Sequence, residues 1–303
     1  MVKIVAIGAC CMDTLYSLPT YPTEDTKVKA LGCKVAGGGP AATGIVAAQK
    51  LGEQTAFIGN LADDNGGAFL KKDFEKYGVN TDCITIQPGF RSFAATLLLS
   101  ADTASRTCIF DRGNLPALEL NDAQKQAICD AEVLMVDGNE MSAAIAATKI
   151  ARENGTLVLY DCGGLYEGAA DLLALTDIMI PSEEFAMGHT GCKDAESAAK
   201  TLFETYHPQV VVVTQGKKGG VCYDGKDLKT YPVFPVEAVD TNGSGDVFHG
   251  AFAAGICKGF DLLTCCYFSS AVSAIKCTGV GARESVPNFE TVKKFLKENG
   301  YEL

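Results

Sequence analysis

The chain has 303 residues, of which 47% are hydrophobic and 21% are charged, and its formal net charge is −11. This length and composition fit one large α/β domain or two small ones and argue against global disorder. An acidic chain without a cluster of Lys and Arg also argues against nucleic acid or an anionic membrane as the main partner.

Cysteine usage and the N-terminus indicate where the protein works. The 13 cysteines are scattered and form no Cys-x-x-Cys motif, which argues against a zinc site and is typical of a reducing cytosol. The apolar stretch at the N-terminus is too short for a signal peptide. No stretch approaches the ~18 apolar residues of a membrane span, so we expect a cytoplasmic protein.

The first elements predict a buried strand and then an excursion from the main sheet. Residues 3–11 are almost wholly apolar, as expected of a strand buried on both faces. Asp13 follows at a position where open α/β sheets contact ligands, although a turn residue is the better guess in isolation. Residues 14–35 hold prolines and short alternating pieces, which indicate strands outside the main sheet.

A second group of short strands is predicted further along the chain. Residues 93–99 and 106–110 flank a polar turn, which predicts a hairpin. Two segments, about 14–35 and 90–113, would then form a small sheet. Between them, three glycines followed by Pro40 indicate the start of a helix, or simply close packing of a glycine-rich turn.

From about residue 115, apolar strands alternate with helical segments. Continuous apolar strands in such an alternation indicate a parallel sheet covered by helices on both faces. The carboxyl ends of parallel strands meet at one edge of the sheet, where ligands bind. The predicted strands cover residues 133–136, 157–160, 178–180 and 210–213, and the polar residues at their ends are Asp137, Asp161, Ser182 and Thr214.

A glycine turn opens an apolar helix at Asp240-Thr241-Asn242-Gly243-Ser244-Gly245-Asp246. Free backbone N–H groups and the positive end of the helix dipole then point at one place, which suits an anion. Asp246 would lie in the first helical turn, where a carboxylate can accept a proton from a hydroxyl group that attacks phosphorus. From these residues alone, an ordinary glycine loop with a capping Asp explains the pattern equally well.

The order Asp-Thr-x-Gly-x-Gly-Asp closely resembles the C-terminal signature of the ribokinase-like (PfkB) family of carbohydrate kinases, with Ser244 in place of the usual Ala. The resemblance covers essentially the whole chain. It implies one α/β domain over residues 1–303, built as a three-layer sandwich with a mostly parallel central sheet. It also implies that segments 14–35 and 90–113 form a β-sheet lid, and that the protein phosphorylates a hydroxyl group of a small sugar with ATP.

The resemblance assigns the catalytic roles to Asp246 as the base and to the amides of Gly243, Ser244 and Gly245 as the anion hole. Ala42 stands where many members carry Asn, so ribose is a less favoured substrate. The residues implied to lie against the sugar, together with Asp246, are Asp13, Gly37, Gly38 and Gly39. Arg106 and Arg112 lie on or beside the lid, where they contact the substrate or remain solvated. Because the family's lid often forms the dimer contact, a homodimer is expected.

The implied cofactors are ATP, Mg²⁺ and, in many relatives, K⁺. The residues implied to lie near the nucleotide are Thr214, Gly216, Gly219, Gly243, Gly245 and Lys276. Glu183 is a candidate for binding magnesium, although Ser182 stands where the family has Asn, and a capping Ser followed by acidic residues is an equal alternative. The potassium shell would include Asp240, Asn242 and Ser285.

Several alternatives stay open. His249 follows Asp246 by three residues, so the two could be neighbours on a helix, and both a proton shuttle and a packed structural His fit. The Gly-Gly-Gly-Pro-Ala-Ala-Thr and Asp-Val-Phe-His-Gly-Ala segments are similar in wording to sulfofructose kinases, which favours a ketose-like sugar. A nucleoside kinase and a non-catalytic sugar- or nucleotide-binding protein are the competing hypotheses. A dehydrogenase is disfavoured because no Gly-x-Gly-x-x-Gly follows the first strand.

Overall fold

The structure, a computed structural model, describes residues 1–103 and 105–303. Ala104 belongs to the predicted small-sheet segment 90–113 and lies outside the described residues. The strands are β1 (Ile4–Ile7), β2 (Cys11–Leu18), β3 (Gly32–Gly38), β4 (Thr55–Ala62), β5 (Ile84–Gln87), β6 (Ala94–Ser100), β7 (Arg106–Asp111), β8 (Val133–Val136), β9 (Leu157–Cys162), β10 (Ile178–Pro181), β11 (Val210–Thr214), β12 (Gly220–Tyr223) and β13 (Leu228–Tyr231). The helices are α1 (Pro40–Lys50), α2 (Asn65–Tyr77), α3 (Asp122–Asp130), α4 (Met141–Asn154), α5 (Ala169–Leu173), α6 (Glu183–Thr190), α7 (Ala195–Tyr206), α8 (Ser244–Cys257), α9 (Leu262–Cys277) and α10 (Phe289–Glu298), with a short 3₁₀ turn at Gly216–Lys218.

The central sheet has the strand order β13-β12-β11-β10-β9-β8-β1-β4-β5. All strands from β11 to β5 pair in parallel, whereas β12 and β13 are antiparallel additions at one edge. The chain runs from β1 outward through β4 to β5 and then resumes at β8 on the other side of β1. This reversal is a topological switch point, where open α/β sheets bind ligands at the carboxyl ends of the strands.

Helices cover both faces of the central sheet. Ile4 and Ala6 of β1 pack with apolar residues of α1, α8, α9 and α10, whereas Val5 and Ile7 pack with residues of α3, α4 and α7. Successive strand residues point to opposite faces, so an apolar run such as this one is buried on both sides. The predicted three-layer α/β sandwich is therefore confirmed.

Helices α1 and α8 approach each other closely where both contain glycine. A Cβ atom on Gly250 would lie 2.0 Å from the carbonyl oxygen of Gly44, so neither backbone has room for a side chain there. This contact brings the N-termini of the two helices to the same edge of the sheet and fixes the position of α8.

The second sheet has the order β3-β2-β6-β7 and lies outside the central one. Its β6–β7 pair is antiparallel, as the predicted hairpin requires. The β2–β3 pair is also antiparallel, and β2 and β6 pair in parallel. All six residues of β7 are exposed.

The first strand is shorter than predicted, because the Ala9 amide donates to Asp137 Oδ2 (2.8 Å) and the chain turns out into β2.

Within the ranges that the structure describes, no helix combines the length and the apolar character that crossing a membrane requires.

Candidate active site

The turn that opens α8 leaves several backbone amides free, among them those of Gly243 and Gly245. Gly243 has φ 74° and precedes the helix as its N-cap. Among the described residues, the amides of Gly243 and Gly245 have no hydrogen-bond acceptor, as expected for the first turn of a helix. The Ser244 amide differs from the prediction, since it donates to the Thr241 carbonyl at 3.2 Å and closes the turn. Of the three amides predicted to form the anion hole, those of Gly243 and Gly245 are therefore free to bind an anion, and that of Ser244 is not.

Asp246 is the third residue of α8 and is half-buried. Burial raises the pKa of its carboxyl group above 3.8, against the lowering effect of the nearby His249. A raised pKa makes the carboxylate a stronger base than an exposed Asp. Asp246 thus lies beside the free amides of Gly243 and Gly245, and its raised pKa suits proton transfer.

His249 lies one helical turn below Asp246 and is buried. Its Nδ1 lies 2.6 Å from the Gly245 carbonyl and its Nε2 lies 2.9 Å from the Ile180 carbonyl. The Asp161 carboxylate is 3.3 Å from Nδ1, and burial, opposed by His249, raises the pKa of Asp161 to about 7. Because both ring nitrogens face oxygen atoms of the protein, the contacts support the structural role of His249 over a shuttle role.

Asp13 lies on β2 and packs against the glycine segment of β3. Its carboxylate accepts a bond from Cys11 Sγ (3.1 Å), and a Cβ atom on Gly38 would lie 2.1 Å from Asp13 Oδ2. Burial raises the pKa of Asp13, and the charge of Asp246 raises it further. The structure therefore brings Asp13 and Asp246 close to one another and to Gly37, Gly38 and Gly39, which end β3 and lead into α1.

Sequence reasoning missed Arg283, which supports the glycine segment from behind. Its guanidinium is 1% exposed and donates to Asp73 Oδ2 (2.6 Å) and to the Gly38 carbonyl (2.8 Å). A Cβ atom on Gly37 would collide with this guanidinium. The signal in the sequence was an Arg in the loop after α9, but its partner Asp73 is 210 residues away.

The two arginines predicted on or beside the small sheet reach different partners. Arg106 Nη1 donates to Asn242 Oδ1 (2.9 Å), beside the glycine turn, and its charge lowers the pKa of Asp246. Arg112 Nη2 donates to Asn139 Oδ1 (3.0 Å), just after β8. Arg106 therefore links the small sheet to the Asp246 side, while Arg112 links it to the carboxyl end of the central strands.

The predicted nucleotide side lies at the ends of β10 and β11. Ser182 and Thr214 form a bridge between these ends, and Gly216 and Gly219 belong to the tight turn that follows. Ser182 caps α6 by accepting from the Phe185 amide (3.1 Å). These strand ends lie at the same edge of the sheet, as predicted.

Glu183 is already paired in this region. Its Oε1 accepts from Gln215 Nε2 (2.7 Å), and its Oε2 lies 3.3 Å from Lys218 Nζ. Neither residues 1–103 nor residues 105–303 contain three or more His, Cys, Asp or Glu side chains grouped to hold a metal ion. Gln215 and Lys218 therefore already contact the Glu183 carboxylate, and a magnesium role for Glu183 stays a prediction.

Lys276 is buried and does not occupy the position that the predicted contact with the nucleotide requires. Its side chain is 0% exposed, and Nζ donates to the carbonyls of Asp240 (2.8 Å) and Asn242. Ser285 Oγ donates to the Val280 carbonyl (2.9 Å) within its own loop. The carbonyls expected to bind potassium are therefore occupied by the lysine, and these residues do not fit a potassium ion.

Comparison with known proteins shows the family. A family model described as pfkB family carbohydrate kinase matches residues 1–288. A 5-dehydro-2-deoxygluconokinase of Clostridium perfringens is 29% identical over 289 residues, covering 88% of this chain and 85% of the relative. A ribokinase of Haemophilus influenzae is 27% identical over 300 residues, covering 97% of this chain and 98% of the relative. The structure of an Arabidopsis thaliana ribokinase complexed with ribose and ATP has a TM-score of 0.87, 24% identity, and coverage of 98% of this chain and 99% of that one.

Proposed function

The chain belongs to the pfkB family of carbohydrate kinases, and we propose that it transfers the γ-phosphoryl group of ATP to a hydroxyl group of a ketose-like sugar. The observation that carries this proposal is the position of Asp246 beside the free amides of Gly243 and Gly245. A base and an anion site in one helical turn suit attack by a hydroxyl group on phosphorus.

Asp246 accepts the proton of the sugar hydroxyl as its oxygen forms the new bond to phosphorus, and the bond from phosphorus to the leaving ADP breaks. The charge on the transferred group is met by the amides of Gly243 and Gly245 and by the positive end of the α8 dipole. These donors are fixed before the substrates arrive, so little reorganisation is needed at the moment of transfer.

Magnesium, when bound with ATP, neutralises charge on the phosphate oxygens. Glu183 is the acidic residue that would orient its water shell. Thr214, Gly216 and Gly219 lie at the strand edge and turn that would face the nucleotide phosphates, because backbone amides in such turns suit anions.

Two observations support a keto sugar as the acceptor. The C. perfringens relative is named a 5-dehydro-2-deoxygluconokinase, which denotes a keto derivative of a sugar acid. In this chain, the buried Asp13 carboxylate can accept hydrogen bonds from sugar hydroxyls. Arg112, which donates to Asn139, has further guanidinium N–H groups that can bind an anionic group. We therefore propose a ketose or keto sugar acid, with ribose disfavoured by Ala42.

The small sheet would act as the lid. Its β2 carries Asp13 and its β7 carries Arg106, which already reaches Asn242 beside the glycine turn. A lid in this position excludes water, which otherwise competes as the phosphoryl acceptor. Strand β7 exposes apolar side chains on both of its faces, Ile109 at 58% and Phe110 at 60% exposure, which supports a homodimer formed through this sheet.

The cytosol is the proposed location. All 13 cysteines are free in the part of the chain that the structure covers, which suits a reducing compartment.

ADP release with Mg-ATP over a panel of ketoses, keto sugar acids, sulfo-sugars, aldoses and nucleosides tests the proposal. We expect turnover with a keto sugar well above that with ribose. Turnover with nucleosides alone would replace the proposal with a nucleoside kinase. If the protein binds ATP but turns over no member of the panel, the proposed sugar substrate is wrong. If it does not bind ATP, a non-catalytic binding protein is favoured.

A further inference from the structure

Lys276 forms an unusual buried contact at the back of the catalytic turn. It lies in the last turn of α9, is fully buried, and directs its ammonium group at the carbonyls of Asp240 and Asn242. Burial lowers the pKa of Lys276, and the Asp240 carboxylate opposes that effect. A buried ammonium is costly unless it is paired and hydrogen-bonded, so this arrangement indicates a specific role.

The ammonium stands where a monovalent cation was expected. Backbone carbonyls beside one carboxylate form a set of oxygen ligands that suits such an ion, and an ammonium group has the same charge as potassium and a similar size. Two cations on the same carbonyl pair would repel each other. Lys276 therefore excludes potassium from the carbonyls of Asp240 and Asn242.

The remaining expected ligands are also satisfied from within the protein. Asp240 Oδ1 accepts from the Asn242 amide (2.8 Å), and Asp240 Oδ2 accepts from the Gly281 amide (2.9 Å). The Ser285 hydroxyl donates to Val280. These bonds join the catalytic turn to the loop after α9 without an ion.

The position of the Asn242 carbonyl has a consequence for catalysis. This carbonyl and the Gly243 N–H belong to one planar trans peptide unit, so they point in opposite directions. When Lys276 holds the carbonyl from behind, the Gly243 N–H is held facing away from Lys276, toward the free first turn of α8. The lysine thereby orients one of the free amides of the anion site.

We propose that Lys276 is a positioning residue that replaces a bound monovalent cation and holds the anion-binding turn, so that the enzyme works without potassium. The kinetic part of this inference rests on the proposed function. The structural part concerns which cation occupies the turn, and it can be measured without turnover.

The experiment compares wild-type protein with Lys276→Ala and Lys276→Met in chlorides of potassium, ammonium, sodium and choline at constant ionic strength. Lys258→Ala is the matched control, because Lys258 is a partly buried lysine at the opposite end of α8, bonded to Glu53 (2.7 Å). The readouts are the melting temperature and, with the sugar identified by the panel, kcat and KM.

We expect the wild-type melting temperature and kcat to be the same in potassium and choline. Lys276→Ala should lose about 10²-fold in kcat in choline, the loss typical of one misplaced anion-hole donor. Potassium or ammonium should restore part of that loss and raise its melting temperature, because an ion that binds only the folded state stabilises it. Lys276→Met, which fills the space without charge, should lose kcat without recovery in any salt, and Lys258→Ala should show no cation dependence.

Three results would overturn the inference: a saturable potassium effect on the wild-type protein, a wild-type kcat in Lys276→Met, or a folded Lys276→Ala protein whose losses no cation reverses. If Lys276→Ala does not fold, the wild-type series and Lys276→Met still decide. If no sugar is turned over by the wild type, the proposed function fails, and the melting temperatures still test which cation fills the turn.

Discussion

Replacement of Asp246 by Asn tests the assignment of the catalytic base. The amide has nearly the shape of the carboxylate and leaves the free amides of Gly243 and Gly245 in place, but it cannot accept the hydroxyl proton. A general base contributes about 10²–10⁴-fold to the rate, which corresponds to ~3–5 kcal/mol of activation free energy at about 1.4 kcal/mol per factor of ten. We expect kcat to fall by this factor, with little change in KM for ATP.

The same substitution should not weaken the fold. Burial raises the pKa of Asp246 above 3.8, so the folded protein disfavours the charged carboxylate relative to the unfolded chain. An uncharged Asn removes that penalty at neutral pH. We therefore expect the free energy of unfolding to be equal to or higher than that of the wild type, which separates a catalytic loss from a structural one.

The assay is ADP release with the best sugar of the panel, combined with thermal melts of each protein. Asp261→Asn is the control, since Asp261 caps α9 by accepting from the Leu263 amide (3.0 Å) at the end of that helix opposite Lys276, and Asn is an equally good cap. It should keep wild-type turnover. An Asp246→Asn protein that retains turnover within tenfold of the wild type would refute the reasoning, as would a large loss of stability.

Three further predictions follow from the same structure. Arg283→Met leaves the buried Asp73 carboxylate unpaired, so we expect a loss of about 3–5 kcal/mol in unfolding free energy by urea titration; adding Asp73→Asn should recover part of it, and equal stability of the single variant would contradict the assignment. Gly250→Ala forces a Cβ atom against the Gly44 carbonyl, so we expect the unfolding free energy to fall by ~1–3 kcal/mol, measured in thermal melts, and kcat to fall as α8 shifts. An unchanged melting temperature would show that α1 and α8 can move apart without cost. The base must be deprotonated to work, so kcat should rise with pH through an apparent pKa above 3.8, because burial raises the pKa of Asp246; a pH profile that is flat down to pH 3.8 would contradict this.

The parallel strands of the central sheet could be predicted from the sequence because each one is a continuous apolar run within a short segment. Residues 133–136 form β8 as predicted, and the predicted strand at 210–213 extends by one residue in β11. The antiparallel edge strands β12 and β13 were not anticipated, since each has only four residues, and β13 includes exposed polar ones. Short edge strands are stabilised by their neighbours in the sheet rather than by their own composition.

The site was predictable only where its residues are contiguous. The turn from Asp240 to Asp246 and the glycine segment before Pro40 were each visible as a motif. The supporting contacts were not, because the Arg283 bonds to Asp73 and Gly38 span 210 and 245 residues. Such contacts depend on the tertiary fold, and no periodicity or spacing within a segment encodes them.

The loop after α9 couples the two halves of the site. Lys276, in the last turn of α9 just before this loop, bonds to the turn that carries the proposed anion-binding amides, and Arg283, within the loop, bonds to the carbonyl of Gly38 on the proposed sugar side. Between them, Ala282 packs directly behind the turn, since a Cβ atom on Gly243 would lie 2.6 Å from its Cβ. We therefore expect a shift of this loop to move both the proposed sugar contacts and the proposed anion site. Because transfer requires the hydroxyl and the phosphorus to be aligned within a fraction of an ångström, support of both proposed subsites from one segment gives the buried side chains of Lys276 and Arg283 a common role.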